Sequence, residues 1–244
     1  MSKLLSQVAD NAMFLLAFVG VIFLMFIIAY GVEKFVKSKN ANTERVLSTR
    51  KIVVTGMFAA IATILMLFEF TVPFAPPGIY KLDFSELPAL IGGFAFGPVV
   101  GVMIEFLKVL LKTLIKGTST AFVGELANFF VGCSFILPAT IIYHIKKSKV
   151  SAIISCLVGT IVITIVGSSF NAFYLLPVFA KMFGMDLEVI IGMGTAVNSH
   201  VTNITQFVLF IVAPLNVIKG LANTLITLLC YKHLSPILKG NKNN

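Results

Sequence analysis

Seven long or medium apolar stretches alternate with short polar segments along the chain, and this spacing predicts helices that cross or enter a membrane. Residues 11–32 carry no charge over 22 positions, enough to span a roughly 30 Å hydrocarbon core. They read as a transmembrane helix more readily than as a cleaved signal. The stretch is longer than a typical signal core, lacks a small-x-small site after it, and has only Lys3 as a basic residue before it. Residues 33–51 form a basic linker, and a second span runs from residue 52 to about 72. The chain then changes character twice. Pro76, Pro77 and Gly78 rule out continuation of the helix, and Lys81, Asp83, Ser85 and Glu86 make the densest polar cluster between two spans. Asp83 or Ser85 is expected to cap a short helix over residues 87–96, with Pro88 tolerated in its first turn and Gly97-Pro98 ending it. Such a loop and short helix are a natural lid and wall for a pocket.

Three further spans are predicted. One runs from residue 99 to about 115, the next leaves the membrane at His144, and the third covers residues 150–176 and closes at Pro177. Residues 178–202 are mixed and read as an outer loop with a short interfacial helix around 187–191, before a last span over residues 203–229. Asn216 and Lys219 are three apart there, with Asn223 four further on, so all three share one helix face.

Composition fixes the class. Hydrophobic residues make up 58% of the chain, charged ones 12%, and the mean hydropathy is +0.99, which describes a polytopic all-α membrane protein. The net charge of +9 raises the question of nucleic acid, but the cations sit in clusters between spans, which is the pattern of membrane topology. Lys34, Lys37, Lys39, Arg45, Arg50 and Lys51 form one cluster, Lys146, Lys147 and Lys149 a second, and Lys232, Lys239 and Lys242 a third. These twelve of the nineteen Lys and Arg fall on one predicted side, against Lys3, Lys81, Lys116 and Lys181 on the other. The N-terminus is therefore expected outside and the C-terminus in the cytoplasm. Cys133, Cys156 and Cys230 lie within spans without metal-ligand spacing and read as small core residues. Trp is absent and Phe abundant, so aromatic contact surface must come from Phe or Tyr.

No phosphate-cradling GxxxxGK[ST] loop, HExxH pair or GxSxG elbow occurs, and His144, His200 and His233 sit near span ends or in a loop. The chain is expected not to be an enzyme, to need no cofactor and to hydrolyse no ATP alone. What converges is a set of polar side chains from different spans: Glu125 and Asn128, Asn171, then Asn216 with Lys219, under a lid bearing Lys81 and Asp83. Each could be a satisfied interhelical hydrogen bond. Together they point to a pocket for a polar, largely uncharged solute with a donor-acceptor edge, with Glu125 or Asp83 balancing the lysine. Lys81 could favour a phosphate or be an exposed loop charge. Glu105 and Lys108, one helical turn apart, are either a structural ion pair or a functional contact. Gly56 and Ala60 form a small-xxx-small pattern that fits internal packing or the docking of a partner subunit.

The run KLDFSELPALIGGFAFGPVVGVMIEFLK at residues 81–108, GELANF at 124–129 and PLNVIKG at 214–220 resembles the riboflavin-binding substrate-specificity subunit of energy-coupling-factor (ECF) transporters. The resemblance covers residues 50–235. It implies a six-helix bundle over residues 52–235, preceded by one extra transmembrane helix (1–32) and the basic linker (33–51), and followed by a cytoplasmic tail (236–244). It implies capture of riboflavin from outside as a transported ligand. It also implies association with a membrane scaffold subunit and two cytoplasmic ATP-binding subunits. Asn171, Asn216 and Lys219 fall where that family hydrogen-bonds the flavin, and the loop around Tyr80, Lys81, Leu82 and Asp83 would close over it. Gly56 and Ala60 sit where the family carries a small-residue docking motif, with Gly in place of its first Ala. The first span is an addition the resemblance does not explain, and residues 178–202 are long for it. The alternatives are the same subunit type for another vitamin and an ion-coupled secondary carrier built on Glu105 and Lys108. An intramembrane enzyme acting on lipid is disfavoured by the missing catalytic set.

Overall fold

The computed structural model describes residues 12–41, 44–76 and 79–239. Lys3, the Pro77-Gly78 tip of the proline turn, and residues 240–244 of the expected tail, with Lys242, lie outside the described residues. The chain forms ten α-helices among these residues: α1 (Ala12–Lys39), α2 (Thr49–Leu67), α3 (Glu86–Phe96), α4 (Pro98–Lys116), α5 (Val123–Ile145), α6 (Lys149–Phe170), α7 (Leu176–Met182), α8 (Leu187–Val197), α9 (Ile204–Phe207) and α10 (Ala213–Lys239). A two-residue antiparallel ribbon, β1 (Phe70–Thr71) with β2 (Lys81–Leu82), pairs Phe70 with Leu82 and Thr71 with Lys81 across the proline turn.

Five helical stretches are long and apolar enough to cross a membrane: 18–39, Thr49–Leu67, Val123–Ile145, Lys149–Met182 and Ile204–Cys230. Helix α4 is as long as α2, at 19 residues, but carries Glu105, Lys108, Lys112 and Lys116 and is shielded by its neighbours along most of its length. Helix α3 has only 11 residues and lies at the centre, touching α2, α4, α5 and α10. The surrounding order is α2 on α4, α4 on α5, α5 on α6, and α6 on α10, while α1 leans on α4 and α5 from outside this ring. The seven predicted segments are thus all helical.

Boundaries differ from the sequence expectation in several places: the second span already ends at Leu67, and the last helix runs past residue 229 through Lys239, into the expected tail. Helix α1 does not stop at residue 32 but continues through Lys39, because Glu33 on its inner face meets the start of α4 and gives the polar end a packing partner. Pro177 does not end the span that begins at residue 150. The helix passes through a π turn at Asn171–Leu175 and continues as α7, with the proline in the first turn after the wide turn, where a missing N–H costs least. Residues 178–202 are consequently mostly helix, in α7 and α8, with Gly184 at φ +63° between them.

At one end of the bundle, residues of the α1–α2 linker, the α3–α4 turn and the end of α5 line a common cavity. At the other end, the proline loop, the end of α4 and the start of α5 line another. The basic linker and Lys147 share the first end with the Gly97 turn, as the alternation of spans requires.

The α3–α4 turn is the tightest joint. Gly97 has φ +122° and ψ 166°, a region open essentially to glycine alone, and a side chain there would meet the Glu33 carboxylate at 2.5–2.8 Å. Glu33 Oε2 accepts the Val99 N–H at 3.1 Å, answering a donor at the head of α4 that has no partner within its own helix. Gly97→Ala is expected to destabilise the protein by about 1–3 kcal/mol, read as a lower midpoint of thermal unfolding in detergent.

Candidate functional site: a capped cavity over a buried charge network

The site begins at Lys108. Its side chain is fully buried on the inner face of α4, and an unpaired ammonium there would cost several kcal/mol. It is paired three ways. Nζ lies 2.9 Å from Glu105, one turn back on α4, 3.1 Å from Glu86 Oε1 on α3, and donates to the Ser85 hydroxyl at 2.9 Å. Glu86 in turn takes Lys219 of α10 at 2.8 Å, and Lys219 lies 3.5 Å from Asp83. Three helices and the lid are therefore tied by one chain of charges. Asp83 Oδ1 also accepts the Ser85 N–H at 2.8 Å. Burial alone would raise the Asp83 carboxyl, but Lys219, Lys108 and the Ser85 contact outweigh it and hold it below the usual carboxylate range.

The expected Ser85 cap is corrected by this arrangement. Its hydroxyl is drawn to Lys108 and makes no capping bond to α3. A charge-assisted bond to a buried ammonium is worth more than a neutral cap.

Above the network lies a cavity of about 370 Å³, within the ~300–1,000 Å³ range of small-molecule sites. Tyr80, Lys81, Asp83, Glu125, Asn128, Asn171, Asn216 and Lys219 all line it, so eight of the nine expected ligand residues converge. Leu82 does not line it; it is buried as the inward residue of β2. An apolar wall of Leu175, Phe179, Val212 and Leu215 faces these polar groups. The Tyr80 hydroxyl donates to Asn171 Oδ1 at 2.8 Å, and its ring leans on Phe207, 6.1 Å between centroids. Burial pushes the Tyr80 phenol well above its ordinary range, so it acts as a neutral donor.

The individual roles differ from the sequence expectation. Asn171 is satisfied by Tyr80 and, through Nδ2, by the Gly167 carbonyl at 2.7 Å. Asn128 donates to the Gly124 carbonyl at 3.0 Å. Glu125 does not balance Lys219. It accepts the hydroxyls of Thr118 and Thr120 at 2.9 and 3.1 Å, while Asp83 and Glu86 supply the lysine's counter-charge. Lys81 is paired with Glu69, which also holds Lys116 at 2.8 Å, so the two lysines and one carboxylate latch the lid to the ends of α2 and α4. Among the described residues, Asn216 alone keeps a buried side-chain amide donor without a hydrogen-bond partner. Sequence reasoning missed Glu86 as a cavity residue. Its position in the first turn of α3 reads as a helix-start acid, and only the approach of Lys108 and Lys219 from other helices reveals its second role.

The Glu105–Lys108 pair lies behind the cavity and does not line it. Gly56 and Ala60 are exposed on the outer face of α2, and nothing lies within 4 Å of where a Gly56 side chain would start. That settles the packing alternative against an internal contact at these two positions, whereas Ala59 and Ala62 are buried.

Lys108→Met is expected to lose roughly 3–5 kcal/mol of stability, because Glu105 and Glu86 would be left buried without their cation. Adding Glu105→Gln should recover part of the loss. Thermal unfolding of the single and double variants in detergent measures both.

Comparison with known proteins identifies the family and the fold. The family model for the substrate-specific component of ECF transporters matches residues 50–231. Riboflavin transporter RibU of Staphylococcus aureus is 36% identical over 195 residues, 78% of this chain and 93% of the relative. Riboflavin transporter FmnP of Bacillus subtilis is 31% identical over 191 residues, 78% of this chain and 94% of the relative. A solved S component of a bacterial ECF transporter superposes with a TM-score of 0.60 at 35% identity, covering 78% of this chain and 98% of that structure.

Proposed function

The chain belongs to the substrate-specific components of ECF transporters, and we propose that it captures riboflavin in the cavity beneath Tyr80 and Asp83. It is a multi-pass membrane component of a transporter and not an enzyme. Relatives named as riboflavin transporters, matched over more than nine-tenths of their length, support the ligand.

The observation that carries the reading is the Asn216 amide. A buried N–H without a partner costs about 1–3 kcal/mol, and this one stands on a cavity wall beside Lys219. A flavin answers it. The ring's pyrimidine edge offers carbonyls and nitrogens to Asn216 and Lys219, while its dimethylbenzene end suits Leu175, Phe179, Val212 and Leu215. Lys219 already has two carboxylates beside it, so it can turn toward a neutral ligand without leaving uncompensated charge. The Tyr80–Asn171 bond closes the lid over the cavity, and Asn171 can exchange Tyr80 for the ligand as the lid moves.

Delivery requires a partner. The described residues offer a binding cavity but no nucleotide-cradling loop, so the energy is assigned to ATP-binding subunits working through a membrane scaffold. The exposed Gly56–Ala60 face of α2 is where a scaffold helix could approach closely. With the basic end in the cytoplasm, the cavity opens to the outside, the N-terminus lies outside and the C-terminus inside.

Titration of the stripped protein with riboflavin, followed by flavin fluorescence quenching, tests the ligand. Saturable quenching is expected, with Asn216→Ala and Lys219→Ala weakening binding roughly 5- to 150-fold. A folded sample that leaves riboflavin fluorescence unchanged would refute the assignment. Gly56→Leu combined with Ala60→Leu is expected to leave quenching unchanged and to prevent co-purification with the scaffold and ATP-binding subunits.

A further inference from the structure

A second cavity lies apart from the one under the lid. It lies at the opposite end of the bundle, measures about 540 Å³, and is bounded by α1, the α1–α2 linker, the α3–α4 turn and the end of α5. The family match begins at residue 50, so α1 and the linker before it lie outside the matched region, and they complete this cavity.

Its charges do not cancel. Two carboxylates, Glu33 and Glu44, face five cations, Lys37, Arg45, Arg50, Lys51 and Lys147. Glu33 is already shared among the Val99 N–H, Lys37 at 2.9 Å and Lys51 at 3.9 Å. Lys37 and Lys51 also donate to linker carbonyls, at 3.3 Å to Glu44 and Arg45 and at 3.1 Å to Arg45 and Val46. These two lysines therefore fold the linker around Glu33. With Glu44 counted, the lining still carries three more cations than carboxylates, and Arg45, Arg50 and Lys147 are exposed at one rim, brought there from the linker, α2 and the turn after α5. One wall is apolar, formed by Val36, Ala95, Phe96 and Pro98.

We propose that this cavity binds a phosphate-bearing anion, and that the phosphate is carried by the headgroup of an anionic phospholipid. Guanidinium and ammonium groups on separate elements can surround a phosphate, with arginine offering paired donors to its oxygens. The cavity sits where the spans end, at headgroup depth, and basic pockets between helices at that depth suit anionic headgroups. The apolar wall gives the glycerol and first acyl carbons a surface that a free ion would not use. Bound there, the lipid bridges α1 to the family bundle at the rim, as Glu33 bridges them deeper in.

Native mass spectrometry of the full chain, released from micelles holding equal phosphatidylglycerol and phosphatidylcholine, tests the proposal. Retention of phosphatidylglycerol several-fold above phosphatidylcholine is expected, with the preference lost in Arg45→Gln/Lys147→Gln. It should persist in Lys34→Gln/Lys149→Gln, which removes the same charge at the same end from residues that do not line the cavity. Circular dichroism melting identical to the parent excludes misfolding as the cause. A parallel sample with inorganic phosphate separates the sources: phosphate adducts without lipid preference, abolished by the first pair only, would assign the cavity to free phosphate. Equal retention of both lipids with no phosphate adducts, or equal loss in both double variants, would overturn the site.

Discussion

One fully buried ammonium organises the interior. Lys108 stands inside a bundle whose outer surface is made for lipid, where water cannot solvate it, and it is tolerable only with Glu105, Glu86 and Ser85 in place. Meeting that demand fixes the separation and register of α3 and α4. Glu86 then has a carboxylate oxygen within reach of Lys219, so α10 is drawn in by the same requirement. Lys219, which lines the cavity, is therefore not an isolated donor. Its position is set through Glu86 by Lys108 and Glu105, which lie behind the cavity and do not line it, while Asp83 ties it to the lid from above. Fold stability and site geometry share residues here, so a substitution behind the cavity is expected to be felt within it.

The membrane inverts the usual distribution of residue types. Ile52, Val53, Met57, Ile61 and Ile64 project outward from α2, and Ile153, Leu157, Ile161 and Ile165 do so from α6, whereas Glu86, Glu105 and Lys108 are enclosed. Apolar side chains gain little by packing together in hydrocarbon, so close approach and polar contacts must hold the helices. The contact of α3 with α4 shows the first means: a side chain at Gly101 would meet Ile136 at 2.6 Å and the Ala89 carbonyl at 3.4 Å. The charge network supplies the second. On α2, the same lack of bulk at Gly56 and Ala60 faces outward, where it shapes the exterior instead of an internal joint.

The spans were legible because uncharged runs of the right length have few other uses, and the convergence of Asn171, Asn216 and Lys219 followed from polar groups that lipid will not accept, whereas Tyr80 was expected there only from the family resemblance. What escaped the sequence depended on partners distant along the chain. Pro177 signals a stop, yet the π turn at Asn171–Leu175 carries the helix past it, and nothing local distinguishes these outcomes. Glu125 and Lys219 look complementary in sequence, but Thr118 and Thr120 are nearer to the first, and Asp83 and Glu86 to the second. Lys34 to Lys39 read as linker because charge suggests water, while Glu33 extends the helix by finding the head of α4.

The lid connects these themes to transport. In the closed arrangement its inner edge is held by Tyr80 on Asn171 and by Asp83 near Lys219, while its outer edge is held by Lys81 on Glu69. The inner contacts use the residues to which a flavin edge is proposed to bind, so opening the lid and freeing those residues are one event. The outer pair is partly exposed, screened by water and worth little alone. A lid fastened strongly at its edge would slow capture, and one without inner contacts would leave buried amides unanswered. On the proposed function, weak outer and exchangeable inner contacts would let the loop admit a solute at small cost and then close on it, the ligand taking over the hydrogen bonds that Tyr80 and Asn171 make with each other.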